Sequence, residues 1–307
     1  MTKKSIRILI IILIIITTVI VSWGLLKLDK VFALSSINDF KLSNISNKNI
    51  STNILTKSYK PTQLEIRQKI LKNFKITEEY KNKILDIPTI MFHYIEEPKN
   101  KIRNSRYWLS YSPKRLENLL VFLKENNIEA ITFWDIADAI KNNKELPEKS
   151  VILTFDDGHL NHYTKALPIL KKHQVNWVFF IVSEFPDNDS NYADWWHIKQ
   201  ILKAWNEIWS HTLDHQALST LSKSNIIKEL KESKEKIEFK IWEPIITICY
   251  PSGKYNNTVL NESDKLYLFG RTTRPWKQIN LNSRFTIPTI RSTPTLDTEW
   301  ILDRYFE

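Results

Sequence analysis

VILTFDDGHLNHY, residues 151–163, decides the fold. Val151, Ile152, Leu153 and Phe155, with Thr154 among them, make an apolar, β-prone run without alternation. Such a run suits a strand buried on both faces of a parallel sheet or barrel, although periodicity alone does not separate it from a buried helical segment. It leads straight into Asp156, Asp157 and Gly158. The C-terminal ends of strands are where α/β folds place their chemistry. Two adjacent carboxylates there repel each other and lose hydration, so they need a cation, a shared proton or open water. Gly158 lets the chain turn sharply and aim both acids at one spot. Taken alone, the stretch also fits a solvated Asp-Asp-Gly turn, and the rest of the chain has to separate the two readings.

Working outward, strand and helix patterns alternate. PTIMFHYI, beginning at Pro88, reads as a strand, and Ser112 with Pro113 starts a helix, serine as cap and proline in the first turn. IEAITF follows as a short strand and DIADAIKNN as a helix capped by Asp135. Beyond the central strand come a helix over 163–173, a strand over 175–182, a helix over 194–204, the short strand EIWSH and a helix over 222–240. IITICYPSG, YLFGRTT and FTIPTIRST are the last strands, and TLDTEWILDRYF closes as a helix. The alternation predicts an α/β domain with a parallel sheet.

Ahead of this domain, residues 8–26 are an uncharged run of 19 dominated by Ile, Leu and Val, preceded by Lys3, Lys4 and Arg7. That length spans a hydrocarbon core as a helix, and the flanking cations place the N-terminus in the cytoplasm and the remainder outside it. The alternative is a cleaved signal peptide, with Val31 and Ala33 at the positions a peptidase inspects, and a secreted product. Three segments result: a tip and anchor over 1–33, a stalk with amphipathic helices over 34–87 that pack on the domain edge, and the globular domain over 88–307. The chain carries 44 Lys and Arg against 34 Asp and Glu, which favours anionic partners. The cations form no basic stripe with interleaved aromatics, so nucleic acid is not an expected partner. The single cysteine, Cys249, excludes an internal disulfide framework and leaves histidine as the nitrogen ligand available to a metal.

SHTLDH carries His211 and His215 four residues apart. On one helix face, or on a turn after a short strand, that spacing converges two imidazoles on one ion. Two histidines and an aspartate satisfy a borderline divalent metal such as zinc and leave a position for water. CYPSGKYN, starting at Cys249, makes a rigid turn whose backbone amides could face a strand end, as an oxyanion requires.

TFDDG, then SHTLDH about fifty residues on, then YPSGKYN, in that order, resembles the polysaccharide deacetylases, the family built on the NodB homology domain. The likeness covers residues 88–293 and is nearest to the branch that de-N-acetylates extracellular poly-N-acetylglucosamine. It implies a distorted (β/α) barrel of about seven strands with a divalent metal, zinc by preference, at its C-terminal mouth. It also implies roles: Asp156 as general base; Asp157, His211 and His215 as metal ligands; the Tyr250 backbone N–H for the oxyanion; Arg291 holding the base; and His93 over the metal. The family's LxLH motif, its usual general-acid histidine, is absent, so His93 or the protonated Asp156 would return the proton. The implied activity is removal of N-acetyl groups from an envelope or extracellular polysaccharide by an enzyme anchored in the cell membrane. The alternatives are deacetylation of peptidoglycan or chitooligosaccharide, and a glycan-binding domain without turnover.

One imbalance remains. Glycine ordinarily makes up about 7% of a chain, roughly 21 residues at this length, yet there are 4 glycines against 11 tryptophans. Trp205, Trp209, Trp242 and Trp276 stand where the resemblance leads one to expect glycine. A large indole at Trp209, two residues before a metal ligand, is expected to disturb the backbone there. The pattern predicts a gene in which UGA means glycine, rendered here as tryptophan, the alternative being a diverged chain with genuine tryptophans. UGG codons at 205, 209 and 242 would be the contrary result.

Overall fold

The apolar run at 151–155 is the central strand of the sheet. The computed structural model describes residues 62–99, 104–275 and 278–307. Its main sheet comprises β1 (Thr89–Phe92), β2 (Ser150–Phe155), β3 (Val178–Ile181), β4 (Glu207–Ser210), β5 (Thr247–Cys249), β6 (Phe269–Arg271) and β7 (Ile290–Arg291). They lie in the order β6-β5-β4-β3-β2-β1-β7, every neighbour parallel, with the short strand Glu129–Ala130 paired to the start of β2. All six residues of β2 are buried, which is why its sequence does not alternate. The sheet curls into a half-barrel in place of the expected barrel. Its two ends are linked by a parallel bridge, Arg271 to Ile287, on the segment leading into β7.

Helices α1 (Gln63–Leu71), α2 (Pro113–Glu125), α3 (Phe133–Asn142), α4 (Leu167–His173), α5 (Trp195–Lys203), α6 (Lys223–Ile241), α7 (Asn257–Asp264) and α8 (Thr298–Phe306) accompany the strands. Ser112, Asp194 and Ser222 cap α2, α5 and α6 through their side-chain oxygens. Asp135 does not cap α3. Thr132 does, and Asp135, three residues on, returns a bond to the Thr132 amide, completing a capping box. The helix expected from 163 opens instead as a single π turn, His162–Ala166, before α4.

The compact unit runs from Pro61 to Glu307. Within it, α1 buries Arg67 and Ile70, and the Arg67 guanidinium pairs with Glu243 at 3.2 Å and lies over the Trp134 ring. The expected anchor at 8–26, the stalk and Trp276 lie outside the described residues. Among the described residues no helix is long and apolar enough to cross a membrane.

The tryptophans divide into two kinds. Trp209 does not disturb β4: it pairs in register with Phe180, is buried against Trp134 at 5.7 Å, and donates its indole N–H to Glu207 at 2.8 Å. Its side chain occupies the face opposite its neighbour Ser210. Trp205 and Trp242 are different. Both follow a helix C-terminus in the left-handed region, at φ +67° and +65°, and their side chains are 62% and 79% exposed. That is the position glycine fills by default, because a Cβ there costs about 1–2 kcal/mol. Exposed indoles recover little of this through packing. Allowing for glycine's greater backbone entropy, Trp205→Gly with Trp242→Gly is expected to raise the melting temperature by about 4–8 °C in a unit of this size. A thermal melt checks it, and a lower melting temperature would contradict it.

Candidate functional site

The ends of β2 and β4 carry the acids and the histidines of the site. Asp156 follows β2, its amide tied to Phe92 O at 2.9 Å, and Asp157 then enters the left-handed region at φ +73° with Gly158 at +78°. His211 follows β4, its amide tied to Ile181 O at 2.8 Å. The loop after it is bent by two more left-handed residues, Thr212 and His215, both at φ +68°. A β-branched residue in that conformation is rare, and such strain persists only where surroundings hold it. Here the buried carboxylate of Glu229, on α6, accepts the amides of Leu213 and Asp214 at 2.9 and 3.3 Å.

The loops bring Asp157, His211 and His215 together, their ligand atoms all within 4.8 Å of one another. Asp157 Oδ1 lies 3.3 Å from His211 Nε2 and 3.4 Å from His215 Nε2. Two donors each about 2.1 Å from a tetrahedral ion stand about 3.4 Å apart, so the spacing fits a divalent metal. The tautomer fits as well. His211 Nδ1 lies 2.8 Å from Cys249 O, and donating its proton there leaves the Nε2 lone pair facing the site. Burial pushes the Asp157 carboxyl up, but His159, His211 and His215 outweigh it and hold it well below the usual range. Burial lowers the His215 imidazole, yet the Asp157 carboxylate prevails and raises it.

Asp156 stands beside this triad, buried. Its Oδ2 is ion-paired with the fully buried guanidinium of Arg271, while Oδ1 has no hydrogen-bond partner among the described residues. Burial pushes its carboxyl up, and Arg271, His93 and His211 together bring it below its ordinary value. Arg271 also reaches Cys249 Sγ at 2.7 Å and packs over the Phe180 ring. Burial raises the Cys249 thiol well above its usual range.

The role expected of Arg291 therefore falls to Arg271. Arg291 ends β7 exposed, paired in register with Met91, and makes no contact with Asp156. The Tyr250 amide also differs from expectation, since it donates to Arg271 O at 3.1 Å. An oxyanion would have to compete with that carbonyl for it. His93 neighbours Asp156, Asp157, His159 and Arg271, and burial lowers its imidazole against the pull of the two carboxylates. Sequence reading missed Arg271, Glu229 and His159. Only Arg271 had a signal, an arginine closing the strand FGR.

The model of the polysaccharide deacetylase family matches residues 143–268, which include the aspartate pair and SHTLDH and stop just short of Arg271. The Bacillus subtilis protein YxkH is 25% identical over 209 residues, 68% of this chain and 72% of its own. The Escherichia coli poly-beta-1,6-N-acetyl-D-glucosamine N-deacetylase is 28% identical over 138 residues, 40% of this chain but only 20% of that enzyme's length. Among solved structures, the Streptococcus pyogenes deacetylase PplD in complex with acetate superposes with a TM-score of 0.67 at 25% identity, over 73% of this chain and 100% of that one. A curled parallel sheet with Asp156, Asp157, His211 and His215 gathered at its C-terminal edge, matched in this way by sequence and by fold, makes the chain similar to the polysaccharide deacetylases, a family of carbohydrate de-N-acetylases.

Proposed function

We propose that the protein removes N-acetyl groups from N-acetylglucosamine-type sugars of an extracellular or envelope polysaccharide, using zinc held by Asp157, His211 and His215. The observation that carries this reading is the meeting of those three ligands on one point beside a carboxylate, Asp156, with one oxygen fixed and the other open. Two imidazoles and a carboxylate suit zinc and leave coordination positions for water and the amide carbonyl. Bound there, the metal would acidify water and polarise the acetyl carbonyl.

The chain's own residues do the rest. Asp156 Oδ1 takes the proton of the attacking water. Arg271 keeps that carboxylate oriented and ionised until then. As the carbon–nitrogen bond breaks, the amine leaves with a proton returned by Asp156 or supplied by His93, and acetate is the other product. In this reading the uncharged run at 8–26 anchors the enzyme in the membrane with its catalytic domain outside the cytoplasm. Poly-N-acetylglucosamine is the substrate proposed first and peptidoglycan second, since the chain is similar to deacetylases of both.

Acetate release from N-acetylglucosamine oligomers tests the reading, with Asp156→Asn as the control. Release by the parent protein alone is the expected result. Equal background from both proteins, with glycan still bound, would favour a binding domain without turnover.

A further inference from the structure

His159, two residues beyond Asp157, is 3% exposed and has no part in the chemistry described above. Its Nε2 lies 3.2 Å from Asp157 Oδ2, the oxygen turned away from His211 and His215. The ring is clamped between two tyrosines. Tyr94 stacks on it with centroids 3.9 Å apart and planes at 20°, and Tyr192 with centroids 5.0 Å apart and planes at 26°. The backbone is fixed too: His159 bridges Tyr192, Leu160 N donates to Asn191 O at 2.9 Å, and Ala193 N donates to Gly158 O at 2.9 Å. A ring held on both faces and along its backbone cannot turn its edge away from the carboxylate.

We infer that His159 is a positioning residue that takes up Asp157 Oδ2, so that Asp157 offers a metal only Oδ1. This rests on the assignment of Asp157, His211 and His215 as metal ligands. The ring edge turned to the carboxylate is the Nε2 edge, 3.2 Å from Oδ2, so a proton on that nitrogen faces Oδ2 across an ion-pair contact. With that oxygen occupied, Asp157 binds through one oxygen and a coordination position stays open for water. Partners of this kind, one bond removed from a ligand, typically account for about 10–100-fold in metal affinity.

The test is zinc affinity by chelator competition on the full-length protein, together with X-ray absorption of the zinc-loaded protein and thermal melts of the apo forms. His159→Phe keeps a ring between the tyrosines and removes the donor. It is expected to weaken zinc binding about 10–100-fold with the apo melt unchanged. His159→Gln, whose amide N–H reaches the same point, is expected to restore most of that loss. Absorption should report two imidazoles and a single carboxylate oxygen in the parent protein. Should His159→Phe not fold, Tyr94→Leu, which loosens the clamp and keeps the donor, is expected to weaken binding by a smaller factor. Parent-like affinity in His159→Phe, no rescue by glutamine, or a third imidazole on the ion would each overturn the inference. A parent protein that binds no zinc would instead overturn the ligand assignment itself.

Discussion

Asp156→Asn is expected to cut acetate release by about 10²–10⁴-fold, the usual worth of a general base, while the protein still retains its metal. The substitution keeps the shape of the side chain and leaves Asp157, His211 and His215 untouched. It removes the one open carboxylate oxygen, Oδ1, that can take a proton beside the triad. It also leaves the Arg271 guanidinium buried with no counter-charge, which can cost stability. Circular dichroism and metal content therefore have to accompany the rate measurement. A folded, metal-loaded Asp156→Asn protein with undiminished acetate release would show that the proton goes elsewhere, with His93 the remaining candidate.

Arg271→Met should have the largest effect on stability. The parent pair is fully buried, and deleting one partner leaves the other charge uncompensated, at a cost of about 3–5 kcal/mol. Because that charge is titratable, the cost depends on pH. In the parent protein the Asp156 carboxyl is held below its ordinary value. It therefore adds stability above the unfolded-state pKa, and that stability is lost as pH falls through the folded-state value. Without Arg271, burial dominates and pushes the carboxyl up, reversing the sign: the variant is least stable at high pH and recovers as Asp156 takes a proton. Urea denaturation at pH 8 and pH 5 is expected to reveal a wide gap to the parent at the first and a narrower one at the second. A gap independent of pH would mean that Arg271 acts through packing alone.

The buried strand at 151–155, the order of strands and helices, and the pairing of His211 with His215 were legible because each depends on local pattern: unbroken apolar character, cap residues, a four-residue spacing. That Asp157 joins the two histidines was legible only through the resemblance of the ordered motifs. What escaped depends on partners distant in sequence. Arg271 and Arg291 both end short apolar strands, and nothing local says which one faces Asp156. Only the register of β6 against β5, which sets Arg271 beside Cys249, decides it. The Tyr250 amide is committed by that same pairing. His159 looks like an ordinary loop histidine until Tyr94 and Tyr192, from two other segments, close on its ring. The strain at Trp205 and Trp242 is the reverse case, where composition raised the question and backbone angles gave it a location. Codons at these two positions now carry more weight than the one at Trp209, whose indole is packed and hydrogen-bonded.

The claim on which everything else depends is that one ion joins the loops after β2 and β4. Anomalous scattering at the zinc edge from crystals of the zinc-loaded protein measures it directly. A single strong peak per chain is expected, within bonding distance of Asp157 Oδ1, His211 Nε2 and His215 Nε2, with Asp156 alongside but not bound. No peak at that point, or an ion held by other side chains, would contradict it.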